Sequence, residues 1–387
     1  MKEQLFEKLD SAFEDMVVIR RHLHMHPELS FKEEKTAQYI YDFYANLGVD
    51  AQMGVGGNGV VARVKGGRPG KTVALRADFD ALPIQDDKDV PYKSTVPGVM
   101  HACGHDGHTA TLLQVAKAIH ELQEILAGEY VFIHQHAEEY APGGAISMIA
   151  DGCLDGVDVI FGTHLWSLTP SGTIEYLAGP VMAAADRFTI AIQGAGGHGA
   201  APHQTKDAVV IGAQLVMNLQ QLVARRVNPI DSAVLSIGSF MADNAFNVIA
   251  DSATLGGTVR SFNPKVRDLM ELEMKRVVDG TALAHDCAID FHYYRGYPAV
   301  VNHATETDFL KTVAETVPGV QAVVESTPQM GGEDFSYYLE KVPGTFFFTG
   351  AKPAEPYPHH HPKFDFDENA MLVAAKTLGA AALDYQH

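Results

Sequence analysis

The sequence predicts an α/β protein: a mixed-sheet domain with an inserted ferredoxin-like α+β domain. Short apolar runs alternate with helical repeats at both ends of the chain, the mark of a sheet covered by helices. The middle instead reads strand, helix, strand, strand, helix, strand, a complete set for a second, split β-α-β arrangement. At 387 residues the chain is also longer than one small core accounts for. The expected boundaries fall at Ala183-Ala184 and Gly296-Tyr297. They give a main domain in two parts, 1–183 and 297–387, and an inserted domain at 184–296.

Each element has its own signal. Leu5, Leu9, Phe13, Met16 and Val17 stand near helical spacing and predict one helix over 4–24. Thr36, Ile40, Phe43, Tyr44 and Leu47 predict a second over 33–47, stopped by Gly48. Apolar runs at 60–64 and 72–75 flank Gly66-Gly67-Arg68-Pro69-Gly70 and read as a hairpin. A helix at about 107–126, a strand at 130–134, a short helix at 143–151 and a strand at 157–161 follow. In the insert come a strand at 187–193, a helix at 207–224, strands at 233–240 and 253–261, a helix at 264–284 and a strand at 288–294. The chain closes with a helix at 304–316, a strand at 345–349 and a helix at 367–384.

Composition excludes several functions. There are 29 Lys and Arg against 48 Asp and Glu, a net charge of −19, so a nucleic acid or an anionic membrane would repel the chain. Three cysteines, Cys103, Cys153 and Cys287, are too few for a disulfide scaffold and fit a reducing compartment. The start lacks the apolar centre of a signal peptide, and no run approaches the roughly 18 apolar residues that span a bilayer. A soluble, cytoplasmic protein is expected. The unusual count is 19 His.

Chemistry collects in five clusters. Met100-His101-Ala102-Cys103-Gly104-His105-Asp106-Gly107-His108 precedes a helix, and thiolate and imidazole are good ligands for zinc-like ions. A buried Cys in a His-rich turn is the alternative reading of that segment. The strand at 130–134 runs into His134-Gln135-His136-Ala137-Glu138-Glu139, where two adjacent carboxylates repel unless a cation sits between them. One can ligate a metal while the other acts as a base. Phe161-Gly162-Thr163-His164-Leu165-Trp166, His359-His360-His361-Pro362 and Arg76-Ala77-Asp78-Phe79-Asp80 complete the set, the last offering a carboxylate to orient a ligand. All five lie at or beyond predicted strand ends, the edge where open α/β sheets bind ligands. So many donors exceed the needs of one tetrahedral ion and imply two metals, roughly 3.5–4 Å apart.

With Arg21-His22-Leu23-His24, Pro27-Glu28-Leu29, Gly197-His198, Pro202-His203, Gly257-Thr258-Val259-Arg260 and Gly331-Gly332-Glu333-Asp334-Phe335, these motifs cover nearly the whole chain. Together they resemble the hippurate hydrolase and auxin-conjugate hydrolase type of amidohydrolase, within the aminoacylase and glutamate-carboxypeptidase family of dinuclear metallohydrolases. The resemblance implies Cys103, His105, Glu139, His164 and His360 as metal ligands, with Cys103 bridging and His360 preferred to His361. It implies Glu138 as general base and Asp80 as the carboxylate orienting a ligand His. Asp78 stands where the wider family has a His ligand, and His136 where relatives commonly carry Pro. It makes 1–183 and 297–387 the catalytic metal domain and the 184–296 insert a lid, with His198 of the lid as the oxyanion donor, His203 as rival, and lid closure the step that completes the site.

Substrate binding is expected from Arg260, whose guanidinium suits a carboxylate, from Asn247, and from backbone at Gly331-Gly332. Glu333 and Asp334 are read as structural, and His22, His24 and His26 as polar contacts near a helix end. The implied activity is hydrolysis of an N-acyl-L-amino acid to amino acid and carboxylic acid, with two divalent ions (zinc, manganese or cobalt). A dipeptidase, carboxypeptidase or N-acetyl-diaminopimelate deacetylase on the same scaffold is the alternative. A non-catalytic metal-binding protein is disfavoured by the Glu138-Glu139 pair. A homodimer through the lid is expected.

Overall fold

The computed structural model describes residues 1–386. The chain opens with α1 (Lys2–Ser11), α2 (Phe13–Met25), α3 (Glu34–Leu47), β1 (Asp50–Val55), β2 (Gly59–Lys65), β3 (Arg68–Asp78), α4 (His105–Leu122) and β4 (Ala127–Gln135). It continues through α5 (Ala145–Ala150), β5 (Val159–Trp166), β6 (Thr173–Tyr176) and β7 (Gly179–Met182). Next come β8 (Ala184–Gln193), β9 (Gly197–His198), α6 (Ala208–Arg225), β10 (Ala233–Met241), β11 (Val248–Ile249), β12 (Ser252–Ser261), α7 (Pro264–His285) and β13 (Ala288–Tyr294). It ends with β14 (Val300–Asn302), α8 (Ala304–Ala314), β15 (Ala322–Glu325), α9 (Ser336–Leu339), β16 (Gly344–Gly350) and α10 (Asn369–Asp384).

Two compact units result. The first holds Met1–Val181, Val300–Thr327 and the chain from Asp334 onward; the second holds Met182–Ala299 and Pro328–Glu333. The boundaries read from sequence lie within a few residues of these, but 328–333 joins the second unit. There Ala183 N–H donates to the carbonyls of Gln329 and Gly331, both at 3.0 Å. A pairing so distant along the chain leaves no local pattern to read.

The first unit is built on an eight-stranded mixed sheet of order β1-β2-β4-β3-β5-β16-β6-β15. Its centre, β4, β3, β5 and β16, is parallel. These strands are buried along nearly their whole apolar length, as parallel strands under helices must be. The core joins Val73, Leu75, Phe161 and Phe347 of the sheet with Leu112, Val115 and Ile119 of α4 and Ala374, Leu378 and Ala381 of α10.

Two expectations are corrected here. The runs at 60–64 and 72–75 do not form a hairpin: β4 lies between them, antiparallel to β2 and parallel to β3. The Gly-rich loop ties instead to the chain entering β4, Gly66 N–H donating to Gly128 O and Gly67 N–H to Gln123 O. The true hairpin is β1–β2, across Gly56-Gly57-Asn58. The single helix over 4–24 is two, broken at Ala12, because α1 packs chiefly on α10 and α2 on α4.

The second unit has a four-stranded antiparallel sheet of order β10-β12-β8-β13 packed on α6 and α7. Its own core includes Phe188, Ile190, Leu215, Leu219, Leu255, Met270 and Met274. Asp207 caps α6, accepting from Val209 N–H at 2.9 Å, and Asn263 caps α7 just before Pro264. No helix among the described residues is long and apolar enough to cross a membrane.

Candidate metal centre

The parallel strands of the first unit deliver polar side chains at their C-terminal ends. β3 ends at Asp78 and leads to Asp80; β4 leads to Glu138 and Glu139; His164 lies on β5; His360 lies beyond β16. Cys103 and His105 flank Gly104, which caps α4 at φ +100°, a conformation that favours glycine. The structure thus brings Cys103, His105, Glu138, Glu139, His164 and His360 to one place.

Donor atoms of Cys103, Glu139 and His360 lie within 4.8 Å of one another, as do those of His105, Glu138 and Glu139, and those of Cys103, His164 and His359. These groups share Cys103 and Glu139, so they form adjoining subsites. Cys103 Sγ is 3.4 Å from His164 Nε2, and His360 Nε2 is 3.3 Å from Glu139 Oε2. His361 instead stacks on Tyr357 at 4.6 Å between ring centroids. His360 sits at φ +66°, a costly conformation for a non-glycine residue.

Asp80 is the hub. Its Oδ1 accepts from His105 Nδ1 at 3.1 Å, which turns Nε2 toward the donor cluster. Its Oδ2 accepts from Glu139 N–H at 2.9 Å and from the Ser30 hydroxyl at 2.7 Å. Asp78 is tied to other side chains. It binds His108 Nδ1 at 2.6 Å and Arg76 Nη1 at 2.6 Å, while His108 Nε2 accepts from Leu165 N–H. Its Oδ2 also lies 3.8 Å from His105 Nε2, and donor atoms of Asp78, His105 and His108 lie within 4.8 Å of one another.

The donor set calls for cations. His105 Nε2 and Glu139 Oε1 are buried without a hydrogen-bond partner, 3.8 Å apart. Burial alone would pull the His105 imidazole down, yet the charges of Asp78, Asp80 and Glu139 hold it up at about 10. Burial, then the charges of Glu139 and Glu138, pushes the Cys103 thiol well above its usual range. Two divalent ions would answer both the surplus negative charge and the orphaned donors.

Other side chains support this centre; of these, Arg20 and Glu33 were not singled out from sequence. Arg76, buried, donates to Asp78, to Gln135 Oε1 at 2.9 Å and to Asp334 Oδ1 at 2.9 Å. Asp334 is therefore structural, as read; burial, offset by Arg76, leaves it at about 6. Arg20 is fully buried against Asp106 and Asp365, at 2.9 and 2.7 Å. His24 is more than a helix-end contact: it is buried, with Nδ1 2.7 Å from Asp106 Oδ2. Arg20 and His24 stand one helical turn apart, a spacing that, with two polar side chains on an otherwise apolar face, is the available signal. Glu33, also buried, reads in sequence as an ordinary acid at a helix start.

The remaining expected residues lie in the second unit. His198 pairs with Val248, and Gly199 N–H donates to Asn247 O at 2.8 Å, so His198 and Asn247 share the β9–β11 ribbon. Ala200 N–H donates to His198 Nδ1 at 3.0 Å, which leaves Nε2 as the protonated donor of the neutral ring. His203 lies in the adjacent turn. Arg260 pairs with Ala185, and a Cβ on Gly332 would meet the Ala185 Cβ at 2.7 Å, so Arg260 and Gly332 are neighbours too. Arg260 donates to Val259 O at 3.2 Å and to Thr258 Oγ1; among the described residues no carboxylate pairs with it. His136 is buried and lies 5.9 Å from the Phe31 ring.

A parallel sheet edge carrying a Cys, His and Glu donor set beside a second carboxylate defines a metal-dependent hydrolase. The sequence profile of Peptidase family M20/M25/M40 matches residues 74–384, and the chain belongs to that family. It is 61% identical over 388 residues to a Bacillus subtilis (strain 168) protein named as an amidohydrolase, YhaA, covering 100% of this chain and 98% of that one. It is 48% identical over 302 residues to an N-acyl-L-amino acid amidohydrolase of Geobacillus stearothermophilus, covering 78% of this chain and 82% of the relative. Among solved structures it resembles the Bacillus subtilis YXEP protein, described as a dinuclear metal binding peptidase from the M20 family. The TM-score is 0.82 at 36% identity, covering 97% of this chain and 99% of that one.

Proposed function

We propose that the chain is a metal-dependent amidohydrolase that cleaves N-acyl-L-amino acids to the amino acid and a carboxylic acid. The observation that carries this is the Glu138-Glu139 pair: Glu139 faces His105 and His360, and Glu138 Oε2 stands beside the donor set, 3.9 Å from His105 Nε2. Likeness to the Geobacillus stearothermophilus enzyme supports the acylated amino acid as substrate class.

Cys103, His105, Glu139, His164 and His360 would hold two divalent ions, drawn from zinc, manganese and cobalt, which when bound would acidify a water and polarise the scissile carbonyl. Glu138 takes the proton of the attacking water and returns it to the leaving nitrogen. Asp80 fixes His105 and the Glu139 backbone. The Nε2–H of His198 is the donor to the developing oxyanion. Arg260 and Asn247 bind the substrate carboxylate, with Gly332 giving room beside Ala185.

The second unit serves as a lid and as the interface of a homodimer. Supporting this, β10 and β13 are the edges of its sheet, and Phe240 and Met241 on β10 are exposed. A monomeric mass by light scattering would refute the dimer. A cytoplasmic location suits a site whose ligands include a free thiol.

The deciding experiment is amine release from N-acetyl-L-methionine, hippurate and free dipeptides, before and after chelation with metal add-back. Metal-restored release from the blocked amino acids alone is expected. Release from dipeptides alone would make the enzyme a peptidase, and no release at all would sink the catalytic reading.

A further inference from the structure

Glu33 is a buried carboxylate that the mechanism above does not use. It is the N-cap residue of α3, but its side chain makes no capping hydrogen bond. Glu28 does so instead, accepting from Thr36 N–H at 2.8 Å and the Thr36 hydroxyl at 2.9 Å. Released from capping, Glu33 reaches across the fold. Its Oε1 accepts from Ala137 N–H at 2.8 Å and its Oε2 from Asn58 Nδ2 at 3.1 Å. Among the described residues no cation pairs with it, so a carboxylate is buried on two hydrogen bonds, an expensive arrangement.

What it holds is unusual. Ala137 is buried at φ +54°, in the left-handed region that non-glycine residues avoid. Glu138 and Glu139 follow directly. Glu139 N–H is held by Asp80 at 2.9 Å. Glu138 therefore stands between two backbone N–H groups, each clamped by a different buried carboxylate.

We propose that Glu33 is a positioning residue for the general base: it pins the strained Ala137 peptide and so sets where the Glu138 carboxylate points. The inference rests on the reading of Glu138 as the base. Burial, then the charge of Asp80, pushes Glu33 up to about 7, in keeping with a group retained against its own solvation.

The test uses the full-length, metal-loaded enzyme with N-acetyl-L-methionine and hippurate. Glu33→Ala should lower kcat by about 10- to 100-fold, the cost of displacing a catalytic group by a fraction of an ångström to an ångström. KM should stay within about twofold, and metal content should remain at the wild-type value, since no proposed ligand is touched. Hydrogen exchange of the segment holding Ala137 should quicken by about tenfold or more as its acceptor is lost. Glu33→Gln, which keeps an acceptor oxygen of the same shape, should retain most of kcat and guards against simple misfolding. In the Glu33→Ala background, Ala137→Gly should restore part of kcat, because glycine adopts φ +54° without strain. Wild-type kcat in Glu33→Ala, a loss confined to KM, or Glu33→Gln as slow as Glu33→Ala would each overturn the proposal. Glu138→Ala, run in parallel, separates the two readings: if it stays active, the base assignment itself fails, and the role of Glu33 with it.

Discussion

Asp80 touches the ligand set twice, at the His105 ring and at the Glu139 backbone, so a single substitution should loosen two donors together. Asp80→Asn keeps an acceptor for one contact and turns an NH2 group toward the other. Metal affinity should fall by about 10- to 100-fold, the usual cost of losing a ligand's orienting partner; competition with a chelating dye measures it. Glu138→Ala should behave oppositely. It removes a proton carrier and no proposed ligand, so kcat should drop by about 10²- to 10⁴-fold while metal content stays at the wild-type value. Metal loss from Glu138→Ala matching that from Glu139→Ala would exchange the two roles. The pairing of these carboxylates was legible in the sequence because they stand side by side after an apolar strand; which of them ligates rests on the family resemblance. The hub contacts were not: Ser30 and the Glu139 amide meet Asp80 only once β3, β4 and the chain before α3 are folded together.

The elements that sequence reads well are those buried on both faces, since burial writes a continuous apolar run. β3, β4, β5 and β16 are of this kind. β1 is mostly exposed, carries no such run and was missed. The order of β2, β4 and β3 was also beyond local reading: a Gly-rich loop announces a turn but not the strand that slips in between. Buried polar partners are equally silent, and β4 shows one with a measurable consequence. His134 on β4 is buried, with Nε2 2.8 Å from the Tyr44 hydroxyl of α3. Burial drives its imidazole down to about 3. The unfolded chain, with an ordinary His near 6.5, binds a proton that the native state refuses, so stability falls as pH drops from about 6.5 toward 3. His134→Gln keeps an acceptor for the Tyr44 hydroxyl and removes the titration. Between about pH 7.5 and pH 5, urea unfolding of the variant should lose less stability than wild type, by about 2 kcal/mol. An unchanged pH slope would mean that His134 is already charged in the fold.

Each unit has a core of its own, the first including β3, α4 and α10 and the second β8, α6 and α7, and among the described residues the proposed metal donors lie in the first. Anything that binds the native state alone stabilises it by mass action, here acting on one core and not the other. Removing the metals would leave the Glu138, Glu139 and Asp80 carboxylates around His105 with no divalent ion among them, and would leave His105 Nε2 and Glu139 Oε1 buried without a partner. An unsatisfied buried polar atom costs about 1–3 kcal/mol, so two of them, plus carboxylate repulsion, lower the first unit's stability by several kcal/mol. The second unit has its own sheet, caps and apolar core and gains nothing from the ions. Calorimetry should therefore resolve two transitions in the metal-loaded enzyme. Chelation should move the one that tracks Trp166 fluorescence, Trp being single in the chain and placed on β5, down by about ten degrees or more. The other should shift by no more than a degree or two. Zinc, manganese and cobalt added back singly would then be ranked by how far each restores the first transition. Equal downward shifts of both transitions would show that the two units unfold as one, and an immobile first transition would show that the donor cluster does not hold metal.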